Sequence, residues 1–185
     1  FSHGHHGDAG DADNPRVRWR YDAAMAGISG QFADCGIHAL HMASFLCDDE
    51  VETLSADFAS TISSRVLEDD AMVNFRMLGG TVGRLWTSSV AIGRQHGFEI
   101  HVFGETGGLK WLAEQPNQLI YTPLGGRTQI IEKGESGLYK EASRLSRVAI
   151  AHPEGFPLAV ANMYCDLADV LRGETRDGLP SAADG

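Results

Sequence analysis

The sequence predicts an α+β domain, a largely antiparallel open β-sheet of six or more strands with helices covering one face. Three observations lead there. A nearly all-apolar stretch at 32–46, FADCGIHALHMASFL, has the composition of a core helix. From 51 to 133 the apolar residues recur with a period of two, and helical spacing returns after Gly137. The turns between the alternating runs are too short for parallel crossovers, which need a dozen or more residues, so the strands form a meander. Helix, meander, then helices is the element order of an α+β layer. No repeat or linker divides the chain, which reads as one domain over 1–185.

Composition bounds the partners. The 185 residues are 43% hydrophobic, enough for a real core. With 15 Lys and Arg against 25 Asp and Glu, the net charge of −10 argues against nucleic acid or an anionic membrane. Cys35, Cys47 and Cys165 form neither a Cys-x-x-Cys pair nor an even set, which points to reduced thiols and a cytoplasmic protein. No apolar run approaches the ~18 residues of a membrane span, and no signal peptide is evident. Beginning at Phe1 and stopping at Gly185, the chain reads as cut at both ends.

Taken in order, residues 1–14 (FSHGHHGDAGDADN) are polar and glycine-rich and read as a mobile loop. His3, His5 and His6 are adventitious metal binders or part of a loop that closes on a site. RVRWRY at 16–21 alternates like a short strand, with Val17, Trp19 and Tyr21 on one side. The central helix opens near Asp34 and buries Ile37, Ala39, Leu40, Met42, Ala43, Phe45 and Leu46. At about 100° per residue, Asp34, His38 and His41 share one stripe of it.

Three readings of that stripe stand side by side. Asp34 caps the helix and His38 is a satisfied core histidine; or Asp, His and His collect a metal; or the pair performs acid–base chemistry, the carboxylate stabilising the imidazolium. Against the metal, Asp34 and His41 lie about 10 Å apart along a straight helix, so no metal site is expected.

In the meander, Leu54, Ala56, Phe58 and Ile62 alternate, then Ala71, Val73, Phe75 and Met77, with Gly79-Gly80 turning the chain toward Val82, Trp86 and Val90. Further strands are expected at 98–103, 109–112, 118–122 and 128–132. The glycine-rich stretch at Gly104 precedes an alternating run, not a helix, and is a hairpin turn; a dinucleotide loop requires strand–turn–helix. A short helix is expected at 138–148. A longer one starts at Pro157 and stops at Gly173, with Val160, Met163, Tyr164, Leu167, Val170 and Leu171 on one face. The stretch 175–185 is a loop-like tail.

The order WR, a glycine-rich approach to DCGIHALHMASFL, a meander containing GFEIHVFGETGGLKWLAEQPNQL, then HPEGFPLAVANMYCDLADVL, resembles the carboxy-terminal domain of the glucose–fructose oxidoreductase, inositol dehydrogenase and MocA family. The resemblance covers most of the chain. It implies half of an NAD(P)-dependent oxidoreductase acting on a sugar, inositol or related polyol. NAD or NADP would then be held mainly by an amino-terminal Rossmann domain, and this domain would supply the substrate wall and a homo-oligomer interface through the sheet. Asp34 and His38 stand at that family's catalytic Asp-x-x-x-His positions, where the histidine exchanges the substrate hydroxyl proton. Trp19, Arg20, His41 and His152 are candidate substrate contacts: Arg20 through its fork of donors, Trp19 through its ring face. This chain has no Glu-Lys-Pro segment and no dinucleotide fingerprint, so cofactor-binding residues are expected elsewhere and the fragment alone is expected to be inactive. It carries His41 where many members have an acid. The alternative is a carbohydrate-binding or metal-dependent module built on His38 and His41.

Overall fold

Ala71, Val73, Phe75 and Met77 point to one side of a strand, and that side is the core: their exposures are 0, 2, 7 and 1% in the computed structural model, which describes residues 1–176 and 178–181. Their strand, β2 (Asp70–Met77), runs between β1 (Val51–Ala59) and β3 (Val82–Ser88) in a three-stranded antiparallel sheet of order β1-β2-β3. Leu54 faces Phe75, Ala56 faces Val73 and Phe58 faces Ala71 across the first ladder; Leu85 faces Val73 across the second. Directly opposed residues share a face, so this register assembles the apolar side. At Gly83 any side chain would enter the space of the Phe75 ring, which explains why a glycine stands opposite it.

The central helix covers that side. It comprises a wide π turn over Phe32–Gly36, closed by the Ile37 N–H donating to the Phe32 carbonyl, followed by the α-helix Ile37–Cys47. A shorter helix, α1 (Ala23–Ala26), precedes it, so Ile37–Cys47 is α2. Phe32, Ala39, Leu40, Ala43 and Cys47 pack on Val73, Phe75, Met77 and Leu85. The expectation that α2 is buried nearly all round is corrected: none of its residues is fully buried, and Phe45 and Leu46 are 57 and 49% exposed. A helix lying on one sheet face has only one side to bury.

Two further expectations change. The 16–21 stretch is not a strand; Arg18–Tyr21 is a 3₁₀ turn, set up by Asn14, whose side-chain oxygen accepts from the Arg16 N–H and whose carbonyl accepts from the Arg18 N–H. Local capping of this kind competes with extended structure. Residues 1–14 carry no long element, yet Ser2 bridges to Ser88 and Gly97, and Ser2 and His3 are 1 and 7% exposed.

The remaining strands β4 (Glu99–Phe103), β5 (Gly107–Leu112), β6 (Gln118–Pro123) and β7 (Gln129–Glu132) form a second, four-stranded sheet in sequence order. The fold class is α+β with antiparallel strands, and the seven strands among the described residues divide between two sheets. Helices α3 (Lys140–Leu145) and α4 (Phe156–Leu171) follow, with Pro157 in the first turn of α4 and Gly173 at φ 91° just beyond its end. The polar side of α4 is tied down, Asp166 to Arg144 and Asn162 to Arg147, whereas Met163, Tyr164, Leu167, Val170 and Leu171 are 41–80% exposed. Backbone proximity separates the chain into two units, Phe1–Ile100 and His101–Gly185. The expected tail at 175–185 lies partly outside the described residues.

Candidate active site

Three pieces of the first unit converge on a cleft of about 250 Å³: the 3₁₀ turn Arg18–Tyr21, the entrance of the central helix, and the connection between β1 and β2. Trp19, Arg20, Tyr21, Asp34, Arg65 and Glu68 are among the residues that line it.

The turn brings Trp19 and Arg20 to the helix. Arg20 Nε donates to Asp34 Oδ2 at 3.1 Å, and its guanidinium lies 4.3 Å from the centre of the Trp19 ring. Both members of the ion pair are about one-third exposed, so the pair contributes little to stability. Its effect is orientation: the Arg20 fork, which lines the cleft, is held by one nitrogen. The cap reading of Asp34 does not hold. The helix begins before it, at Gln31, and the Asp34 carboxylate bonds Arg20 instead of a backbone amide.

His38 and His41 stand on α2, both exposed. Among the described residues neither imidazole has a hydrogen-bond partner, and no hydrogen bond joins Asp34 to His38. The wide turn at Phe32–Gly36 departs from the regular α-helical spacing from which the stripe was inferred. His152 belongs to the second unit, where its Nδ1 lies 3.2 Å from the Ile150 carbonyl oxygen. The structure thus brings Trp19, Arg20 and Asp34 together; His38 and His41 stand apart from that ion pair on α2, with no hydrogen bond to it among the described residues.

Behind the pair sit residues that sequence reasoning missed. Arg65 and Asp69, each with a side chain 2% exposed, form a buried ion pair at 3.3 Å. Asp69 also accepts from the Thr61 amide and hydroxyl and the Ile62 amide. Arg65 donates to the carbonyls of His6 and Asp8 and stacks 4.5 Å from the Tyr21 ring. A buried pair is tolerable when most of its polar positions are satisfied; both terminal nitrogens of Arg65 are engaged, and its buried Nε has no partner among the described residues. The i, i+4 spacing of Arg65 and Asp69 was a signal, but in a connection between strands it had no helix to belong to.

Burial shifts the groups beneath the cleft. His3 is pushed down to about 4 by burial, with positive charge on His5 and His6 adding to the effect. Burial also lowers His6, against the opposing pull of Asp11. The Cys35 thiol, 3.8 Å from His3 Nε2, is pushed up to about 11 by burial and then by Asp34. Neutral imidazole beside neutral thiol is a packed pair, not an activated nucleophile. Among the described residues no group of three or more His, Cys, Asp and Glu is placed to hold a metal ion.

A dinucleotide fits poorly here. Its pyrophosphate site requires a parallel βαβ unit with a glycine turn at a helix amino terminus, and the ladders are antiparallel, with the Gly104–Gly108 region linking one strand to the next. What the cleft offers is an aromatic face, a fork of donors and a carboxylate acceptor, the chemistry that suits a polyhydroxylated molecule.

Residues 1–110 match the model of the GFO/IDH/MocA C-terminal domain. An oxidoreductase of Bacillus subtilis (strain 168), YfiI, is 30% identical over 172 residues, 92% of this chain and 44% of that protein. The inositol dehydrogenase homolog of Azotobacter vinelandii complexed with NAD⁺ superposes with a TM-score of 0.88 at 34% identity, over 94% of this chain and 46% of that one. The same homolog complexed with NADH and myo-inositol gives 0.83 at 32%, over 94% and 45%. The chain therefore spans about half the length of these relatives. Matched over more than half of its own residues by the family's model, the chain belongs to the GFO/IDH/MocA oxidoreductases as a C-terminal-type domain.

Proposed function

We propose that this chain is the substrate-binding and catalytic portion of an NAD(P)-dependent dehydrogenase that oxidises a hydroxyl of a sugar, inositol or related polyol. The observation that carries the reading is the Trp19–Arg20–Asp34 array at the cleft. The ring face accepts C–H surface, the guanidinium donors meet hydroxyl oxygens, and the carboxylate accepts a hydroxyl proton in a hydrogen bond. The likeness to an inositol dehydrogenase homolog complexed with NADH and myo-inositol supports the same class of substrate and cofactor.

In this reading the cofactor is held by residues outside the chain, and the chain's own work is to bind the polyol and move a proton. His38, exposed and without an internal hydrogen bond among the described residues, takes the proton from the reacting hydroxyl. Asp34 holds Arg20 and adds negative charge on the same helix. His41 and His152 are further substrate contacts, and the uncovered face of the first sheet is a homo-oligomer interface. The test is steady-state oxidation of inositols and hexoses by the full-length polypeptide with NAD⁺ and NADP⁺. No turnover with any cyclic polyol or sugar would remove the proposal. The alternative module on His38 and His41 lacks a third ligand among the described residues, and nothing favours it.

A further inference from the structure

We propose that Glu68 is a positioning residue of this site: delivered from the β1–β2 connection, its carboxylate fixes the entrance of the central helix and thereby the Arg20–Asp34 pair.

The first amides of a helix have no partner within it. Here the N-cap residue, Gln31, makes no side-chain cap of its own. The acceptor comes from across the fold. Glu68 Oε1 accepts from the Gly30 amide at 2.9 Å, the Phe32 amide at 3.0 Å and the Ser29 hydroxyl at 2.6 Å, and Oε2 accepts again from Gly30 at 2.9 Å. The Glu68 carbonyl accepts from the Gln31 amide at 3.1 Å. Approach this close requires the glycine, since a Cβ at Gly30 would lie 2.7 Å from that carbonyl oxygen. A carboxylate at this end is also favoured by the helix dipole.

Glu68 is rigid because its neighbours are. Leu67 and Asp69 are 8 and 2% exposed; the Leu67 carbonyl accepts from the Ser60 hydroxyl, and the Asp69 amide donates to Ala59. On the helix side the chain of contacts reaches the site within two residues. Phe32, whose amide Glu68 holds, is also the acceptor that closes the wide turn to Ile37, and Asp34 lies inside that turn. The Asp34 amide donates to Gly30, the other residue that Glu68 grips. Removing the carboxylate releases the turn in which Asp34 is set, and the Asp34 carboxylate loses its fixed approach to Arg20 Nε. Misplacement of a substrate-orienting group by an ångström can cost a large factor in rate without removing any reacting group.

The kinetic half of the test rests on the dehydrogenase reading; the spectroscopic half does not. The Arg20 Nε–H signal is followed by ¹⁵N NMR at pH 6 in the wild type, in Glu68→Gln and in Glu68→Ala. It is expected to be retained in the wild type and in Glu68→Gln, whose amide oxygen can replace Oε1 as acceptor, and lost to solvent exchange in Glu68→Ala. In the full-length polypeptide, Glu68→Ala is expected to lower kcat by about 10-fold or more while the KM for the nicotinamide cofactor stays within about twofold, with Glu68→Gln restoring most of the loss. Should Glu68→Ala fail to fold, Glu68→Asp takes its place with the same expectation, because one methylene fewer prevents its reaching Gly30 and Phe32 together. A folded variant that keeps both the Arg20 signal and its kcat, losing only thermal stability, overturns the proposal. If the wild-type full-length polypeptide oxidises no polyol, the functional reading falls and the Arg20 signal still decides the role of Glu68.

Discussion

His38 and Asp34 sit on the same helix yet have different surroundings: the carboxylate is engaged by Arg20, and the imidazole is exposed with no hydrogen-bond partner among the described residues. A group that takes a proton from substrate must be reachable, and an exposed imidazole is. In the full-length polypeptide His38→Ala is expected to cut turnover by at least ~10²-fold, with cofactor affinity near the wild-type value. Asp34→Asn, which keeps a hydrogen-bond acceptor for Arg20 but not the charge, is expected to be milder. Normal turnover in both variants would make the pair structural. His3 carries a pH prediction. Its folded value of about 4 lies below the ordinary 6.5, so between those values the unfolded chain binds more protons than the native one. The stability tied to a neutral His3 is therefore complete above about 6.5 and is lost as pH falls through about 4. Denaturant unfolding at pH 7, 5.5 and 4.5 should show this decline, and His3→Gln should flatten it.

Among the elements, the β1–β2 connection does the most to assemble the cleft. Its Arg65 and Asp69 are buried with side chains 2% exposed, and it reaches the N-terminal segment, Tyr21 and the helix entrance at once. Asp69→Ala would leave the Arg65 guanidinium buried without its counter-charge and the Thr61 and Ile62 amides without their acceptor. Loss of one partner of a buried pair costs about 3–5 kcal/mol. The urea midpoint of Asp69→Ala should fall accordingly; a change below about 1 kcal/mol would mean that the connection rearranges. The helix–sheet contact was legible from apolar spacing, because alternation on β2 needs only the strand period. The connection was not, because its polar residues gain their meaning from partners up to 59 positions away.

At the scale of the molecule, the first sheet leaves one face uncovered. Met72, Leu78, Val82 and Trp86 are 57, 63, 64 and 40% exposed there, and the register places Trp86 directly opposite Met72. They mix with Asn74, Arg76 and Arg84, a composition nearer an interface than a solvated surface. Light scattering coupled to size exclusion at micromolar concentration is expected to give an oligomer mass, and Met72→Glu to reduce it; a stable contact would bury on the order of 1,200–2,000 Å². A persistent monomer for both the chain and the full-length polypeptide would end this expectation. The chain alone is expected to give no saturable fluorescence change with micromolar NADH or NADPH, since its antiparallel ladders present no pyrophosphate-binding turn. No helix among the described residues is long and apolar enough to cross a membrane.

The sequence by itself determined the α+β class, the antiparallel order, the hairpin at Gly79-Gly80, the start and stop of α4, and the family. Each depends on local period, turn chemistry or a run of residues in order, all of which survive without knowledge of long-range contacts. Tertiary structure decided the rest. Regular spacing put Asp34 and His38 on one stripe, but it could not show that Arg20, brought by the preceding 3₁₀ turn, would engage the Asp34 carboxylate. Alternation made 16–21 look like a strand, but an extended segment needs a partner ladder, and Asn14 offered its amides a local acceptor instead. Period two described seven strands; only the hydrogen bonds between them could divide these into sheets of three and four. The polar residues that build the cleft, Arg65, Glu68 and Asp69, lie in a connection whose local spacing names no element. Their partners are set by which distant backbone amides and carbonyls are left unsatisfied when the helix and the sheet meet.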